Sequence, residues 1–272
     1  MHLHVLVVDN DDILDKSEYI TYYNLKFITS ITGLKLITKY KNQSDKLRWA
    51  LKSVFMQHLL MQTDKIIYVD NDIYFYNDPK MLFDLLDTND ILLTPHFYES
   101  NPNLNQNWLE ANFKVGLYNA GFIGVNTNAT KALQWWSECC LYNIKKSYWR
   151  GLFDDQKYLD LLPVLFEGVM VLKHKGCNLA GWNYLWYKLD RKKDSEVEIE
   201  KTYQLLFIHF AETSLIHFSK KTNFFHTEYL TYIENLRKHR KGYTHKRSYL
   251  KTYTMSVYIN HLKWTISRLL EG

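Results

Sequence analysis

Short apolar runs bounded by turn residues recur at Leu3 to Val8, Lys65 to Val69, Ile91 to Thr94, Phe122 to Val125, Val169 to Leu172 and Leu205 to Phe210. Each has a length and composition that predict a β-strand. Between them apolar positions return every three or four residues, as helices require. The clearest case is Asp45 to Met61, where Leu47, Leu51, Val54, Phe55, His58 and Leu59 share one face and Ser44 stands where an N-cap would close the first turn. Strands alternating with helices predict a layered α/β fold with a largely parallel sheet. Seven of the ten glycines fall between Gly116 and Gly181. Frequent turns and close backbone approach are expected there, as in the wall of a ligand site.

A chain of 272 residues, 46% of them apolar or aromatic, can bury the core of one large domain with an appendage. The longest apolar stretch, Leu159 to Leu172, is interrupted by Asp160, Pro163 and Glu167 and is shorter than the ~20 residues a bilayer span needs. The first residues read as a strand and not as a signal peptide. Cys139, Cys140 and Cys177 offer neither a disulfide framework nor metal-ligand spacing. A cytoplasmic protein is the expectation.

The net charge of +5 is unevenly spread. From Asn235 to Leu270 there are nine Lys or Arg and no Asp or Glu, leaving 25 cations against 29 acids in the rest. An acidic body argues against nucleic-acid binding, and the basic tail points to an anionic membrane surface. The pattern breaks near residues 232 to 245, which sets the expected domains at 1–232 and 233–272. In the tail, Met255, Tyr258, Ile259, Leu262, Ile266, Leu269 and Leu270 recur at helical spacing. They suit a helix packed on the domain or one lying in a membrane interface.

The sharpest chemical signal is Lys65-Ile66-Ile67-Tyr68-Val69-Asp70-Asn71-Asp72, a strand ending in two carboxylates one residue apart. Open α/β sheets bind ligands at that end of their strands. Hard oxygen donors suit Mg²⁺ or Mn²⁺, which can neutralise a diphosphate as it departs. A solvated turn is the plain alternative. A haloacid-dehalogenase-type phosphatase would have Thr or Val where Tyr74 stands, and an EF-hand would need Gly at Phe75. Arg48 and Lys52, four apart, share a helix face on which cations could meet the diphosphate. Asp155 and Gln156 open an amphipathic stretch, where Asp155 reads as a carboxylate favoured by the dipole at a helix start.

At these blocks the chain resembles the bacterial nucleotide-diphospho-sugar glycosyltransferases related to glycosyltransferase family 8, from about Lys46 to Phe210. Ala50-Leu51-Lys52, Tyr68-Val69-Asp70-Asn71-Asp72, Leu93-Thr94-Pro95-His96, Tyr118-Asn119-Ala120-Gly121, Trp135-Trp136, Phe153-Asp154-Asp155-Gln156 and Gly176-Cys177-Asn178-Leu179-Ala180-Gly181-Trp182-Asn183 follow in that family's order. The resemblance implies a GT-A fold, Rossmann-like with a mostly parallel central sheet flanked by helices, here followed by a basic helical tail. It also implies hexose transfer from a nucleotide sugar, UDP-linked, to a hydroxyl of a surface glycan or lipid-linked glycan.

Residue by residue, the resemblance makes Asp70 and Asp72 the ligands of Mn²⁺ or Mg²⁺. His209, in Phe207-Ile208-His209-Phe210, is the third ligand, with His217 in a near-duplicate segment as the alternative. Asp9, Lys52, Asp70 and Asn119 would contact the donor, Asp155 and Gln156 would serve catalysis, and Asn178, Trp182 and Asn183 would face the acceptor. Asn10, Asp11 and Asp12 are expected to form a turn after the first strand. The family's first strand and helix are missing ahead of Leu3, so a truncated, non-catalytic sugar- or partner-binding module is the second expectation.

Overall fold

The structure is a computed structural model that describes residues 1–9, 18–192 and 196–239. The expected turn at Asn10 to Asp12 and the tail helix from Tyr249 to Leu270 lie outside the described residues. By internal contacts the chain divides into Met1–Phe210 and Ala211–Gly272.

The first unit runs β1 (Leu3–Leu6), β2 (Ile20–Tyr23), α1 (Ile31–Tyr40), α2 (Ser44–Leu59), β3 (Lys65–Val69), β4 (Ile73–Phe75), α3 (Lys80–Leu85), β5 (Ile91–Pro95), α4 (Gln106–Lys114), β6 (Tyr118–Asn126), α5 (Thr130–Tyr142), α6 (Leu162–Leu165), β7 (Val169–Val171), β8 (Leu189–Arg191), β9 (Val197–Ile199), β10 (Tyr203–Gln204) and β11 (Phe207–His209). The central sheet has the order β3-β6-β5-β7. β3, β5 and β7 point the same way, and β6 is inserted antiparallel to both its neighbours. The expected α/β layering is present, with three of the four central strands codirectional. β1 and β2 form a separate parallel pair, and β4 pairs antiparallel with β11.

Alternation along the strands builds two cores, because successive side chains leave a strand on opposite faces. Ile91, Leu93, Ile123 and Val125 pack with Leu36, Leu51, Val54, Leu133 and Trp136 from α1, α2 and α5. Leu92 and Phe122, one residue out of step, pack with Leu82, Leu172 and Phe207. Gly124 lies opposite Leu92 in the ladder, where a side chain would press on that leucine.

The helix expected at Asp45 to Met61 is α2, and its six apolar-face residues are all buried. Ser44 is its first helical residue and not its cap; Gln43 holds the cap position without a side-chain hydrogen bond. Ser30, by contrast, caps α1 by accepting from the Gly33 N–H.

The second unit contains α7 (Glu212–Phe218) and α8 (His226–His239). Phe218 and Phe225 pack together, and His226 Nδ1 contacts the Phe218 carbonyl at 3.0 Å. The boundary expected after residue 232 falls inside α8. Among the described residues no helix is long and apolar enough to cross a membrane.

Candidate active site

The site begins where β3 ends. Tyr68 and Asp70 are two residues apart and therefore on one face, and the Tyr68 hydroxyl donates to Asp70 Oδ1 at 2.6 Å. The chain then turns, with the Ile73 N–H donating to the Asp70 carbonyl at 3.1 Å, and enters β4. Pairing of β4 with β11 sets His209 opposite Ile73. The Phe210 N–H donates to the Asp72 carbonyl at 2.7 Å and fixes the strand ends. His209 Nε2 thus lies 3.1 Å from Asp72 Oδ1. Asp70, Asp72 and His209 each bring a ligand atom within 4.8 Å of the others.

β6 closes the other side, with the Asp70 N–H donating to the Gly121 carbonyl at 2.8 Å. A Cβ at Gly121 would stand 2.7 Å from His209 Cε1 and 3.2 Å from Asp70 Oδ2, so glycine is required here by close approach. Asn119 Oδ1 accepts from the Gly121 N–H at 2.8 Å. Its Nδ2 must then face Asn178 Oδ1 at 2.8 Å and His209 Nδ1 at 2.9 Å. Asn178 is oriented in turn by donating to the Pro95 carbonyl at 3.0 Å. Backbone groups thus anchor both ends of the chain of amides that holds the His209 ring.

Lys52 comes from α2 and is 4% exposed. Its ammonium lies 3.2 Å from Asp70 Oδ1 and 3.3 Å from Asp155 Oδ2, and it donates to the Ala120 carbonyl at 3.1 Å. Burial opposes the charge, but Asp155 and Asp70 outweigh it and hold the ammonium well above the usual lysine range. Asp155 is itself buried. Burial pushes its carboxyl up against the pull of Lys52, to about 6. Although Asp155 precedes a short 3₁₀ turn (Gln156–Leu161), its side chain makes no cap hydrogen bond. The carboxylate faces Lys52, while the backbone carbonyl accepts from the indole of the buried Trp136 at 2.9 Å. At Asp72, burial is outweighed by the hydrogen bond and charge of His209, leaving the carboxyl below the ordinary range.

The other expected residues fall at varying depth. The segment Asn178 to Asn183 is folded on its own amides: Asn183 donates to the carbonyls of His96 and Asn178 and accepts from the Ala180 N–H. Asn178 and Asn183 are both fully buried. The Trp182 indole N–H donates to the His96 carbonyl, and its ring stands edge-on to His209 at 5.3 Å between centroids. Gln156 donates to the Val115 carbonyl at 3.2 Å. Arg48 and Lys52 part company. Arg48 is exposed, paired with Asp45 and 4.0 Å from Asp9, and Asp9 is exposed beyond β1. His217 lies on α7 of the second unit.

Three residues carry the site although no role was assigned to them within the blocks that contain them. Tyr68 could have been found by period two from Asp70. Gly121 needed the β3–β6 register. His96, buried and held neutral to about pH 3 by burial and then by the charge of His209, needed the tertiary fold. Nearby, Phe97 adopts φ 55° and Asn178 φ 58°. For a bulky residue such as Phe that conformation is strained, and the Trp182 and Asn183 hydrogen bonds to the preceding carbonyl hold it.

Two carboxylates and an imidazole, one atom each within reach of a single ion, form a donor set that could hold a divalent metal.

No protein-family model matches the chain. Among solved structures it is similar to mouse xyloside xylosyltransferase 1, with TM-score 0.43 and 16% identity over 72% of this chain and 76% of that one. It is also similar to a glycosyltransferase involved in the glycosylation of the major capsid of PBCV-1, with TM-score 0.42 and 14% identity over 86% and 99%. At these scores neither likeness bears on function. YfnF of Bacillus subtilis (strain 168), an uncharacterized protein, is 32% identical over 191 residues, 65% of this chain; the chain spans 60% of the length of that relative. YfnD of the same organism, also uncharacterized, is 30% identical over 226 residues, 79% of this chain and 70% of that protein. On that match the chain belongs to the family of YfnD.

Proposed function

We propose that this chain is a metal-dependent glycosyltransferase of the GT-A kind, moving a hexose from a UDP-linked sugar to a hydroxyl of a bacterial surface glycan or lipid-linked glycan. One observation carries the reading: the Asp70, Asp72 and His209 donor set shares Asp70 with the buried Lys52–Asp155 pair. A simple solvated turn would have no use for a desolvated cation between two carboxylates.

Mn²⁺ or Mg²⁺ at this set would neutralise the diphosphate and stabilise the charge on the departing nucleoside diphosphate. Lys52 supplies a fixed positive charge beside Asp70. Asp155, ionised above about pH 6, takes the acceptor proton or orients the acceptor hydroxyl. Asn119 sets the His209 ring, and its neighbourhood receives donor-sugar hydroxyls. Trp182 offers the acceptor an aromatic wall, which Asn178 and Asn183 hold in place, and Gln156 steadies the backbone next to Asp155. Asp9, beside Arg48, is the nucleoside-side contact. The contribution of the chain is chiefly positioning and preorganised charge, in a cytoplasmic protein.

Release of UDP from a panel of UDP-hexoses with Mn²⁺ tests this. The wild type should release UDP, and Asp155→Asn should lower the rate by at least about a hundredfold, the scale of a general base. Equal rates in the two proteins would refute the role of Asp155.

A further inference from the structure

Two sequence segments distant in the chain meet on one face of the first unit. The Tyr40 hydroxyl donates to the Cys140 carbonyl at 2.9 Å and accepts from the Ile144 N–H at 3.2 Å. The Lys39 ammonium donates to the Tyr142 carbonyl at 3.0 Å. Arg150 reaches back to the Tyr142 hydroxyl at 2.7 Å. These contacts join α1 to the end of α5 and to the loop after it.

The charge on this face is of one sign. Residues 30–44 contain Lys35, Lys39 and Lys41, residues 139–153 contain Lys145, Lys146 and Arg150, and neither stretch has an Asp or Glu. Acids flank it at Asp45, Glu138 and Asp154. Of these Asp45 is paired with Arg48, and Asp154 lies 3.3 Å from Lys146. The remaining cations are exposed, on a protein that elsewhere carries 28 Lys or Arg against 29 acids.

The same two stretches also expose large apolar side chains. Trp149 is 97% exposed, Ile31 75%, Tyr142 63% and Leu34 51%. Trp149 is held out by a short loop in which Ser147 and Leu152 exchange backbone hydrogen bonds and Gly151 takes φ 62°. That conformation suits glycine, and the loop is therefore built and not merely slack. A tryptophan and a tyrosine raised among lysines and an arginine match a membrane–water interface, where amphipathic rings sit at headgroup depth and cations meet anionic lipid.

We infer that this face, formed by α1 and the Tyr142–Gly151 loop, docks the protein on an anionic phospholipid bilayer with Trp149 entering the headgroup layer. The loop leads directly into Asp154 and Asp155, so docking would hold the catalytic carboxylate near the lipid surface. Binding itself does not depend on the proposed sugar transfer.

Co-sedimentation of the full chain with vesicles of phosphatidylcholine alone, and of an equimolar mixture with phosphatidylglycerol, tests the inference. Binding should require phosphatidylglycerol and weaken with salt. It should fall at least about tenfold in Trp149→Ala and in the Lys145→Glu/Arg150→Glu double variant. All of these positions are exposed, and circular dichroism should show unchanged folds. Failure of the wild type to bind anionic vesicles would overturn the inference. So would equal binding by the variants, which would place the contact elsewhere in the chain, or equal binding to phosphatidylcholine alone. Titration of the same proteins with UDP keeps the outcome separate from that of the donor site.

Discussion

Lys52 is the residue on which the site balances, since it is a buried cation shared by two carboxylates. Removing one member of a buried ion pair strands the other, which costs about 3–5 kcal/mol. Lys52→Met should therefore lower unfolding stability in urea by roughly 3 kcal/mol, and adding Asp155→Asn should restore part of it. Strict additivity of the two changes would show that the pair is not coupled. Asp155 also gives a pH signature. Its folded carboxyl is raised above the ordinary carboxylate range, to about 6. The stability it contributes is thus present below about pH 4 and lost as pH rises through about 6. Wild-type stability should decline relative to Asp155→Asn across that window, while kcat/KM rises through it as the base is armed. A difference that is flat from about pH 4 to 7 would contradict the shift. Gly121→Ala should push on His209 and weaken Mn²⁺ binding, followed by electron paramagnetic resonance, by about tenfold, and unaltered affinity would remove the close-approach argument.

The elements show what could be foreseen from the chain. Long, strongly periodic segments were legible: α2 and the strands β3, β5 and β6 follow from apolar spacing alone. Asp70 and Asp72 stood out through their context, since a solvated turn accounts for the tripeptide alone and it is the neighbouring blocks that give the pair a use. β4 was hidden because Ile73-Tyr74-Phe75 is only three residues long and owes its pairing to β11, more than a hundred residues later. The same ladder brings His209 to Asp72. Resemblance favoured His209 over His217, whereas spacing along the chain gave no reason to prefer either. The amides of Asn119, Asn178 and Asn183 were read as ligand contacts. The hydrogen bonds from Asn119 to Asn178 and His209, from Asn178 to Pro95 and from Asn183 to His96 were invisible in the sequence because they span separate elements. Between α5 and the Asp155 segment, the Trp136 indole is the tie. Trp136→Phe should cost about 1–3 kcal/mol through the stranded carbonyl and displace Asp155, lowering UDP release more than nucleotide affinity. Loss of affinity alone would put the tie elsewhere.

At the scale of the molecule, the first unit gathers its candidate site at the carboxyl end of β3 and the facing start of β6, where the β3–β4 turn and β11 bring Asp70, Asp72 and His209 together, α2 brings Lys52, and the segment before the 3₁₀ turn brings Asp155. Membership of the YfnD family fixes kinship without fixing chemistry, so the central claim rests on what this site binds. Isothermal titration with UDP, with and without Mn²⁺, in the wild type and in Asp72→Ala, tests that claim most directly. Binding of UDP that requires Mn²⁺ and is lost in Asp72→Ala is the expected result. UDP binding that is indifferent to both the metal and the substitution would contradict a metal-assisted donor site at Asp70, Asp72 and His209.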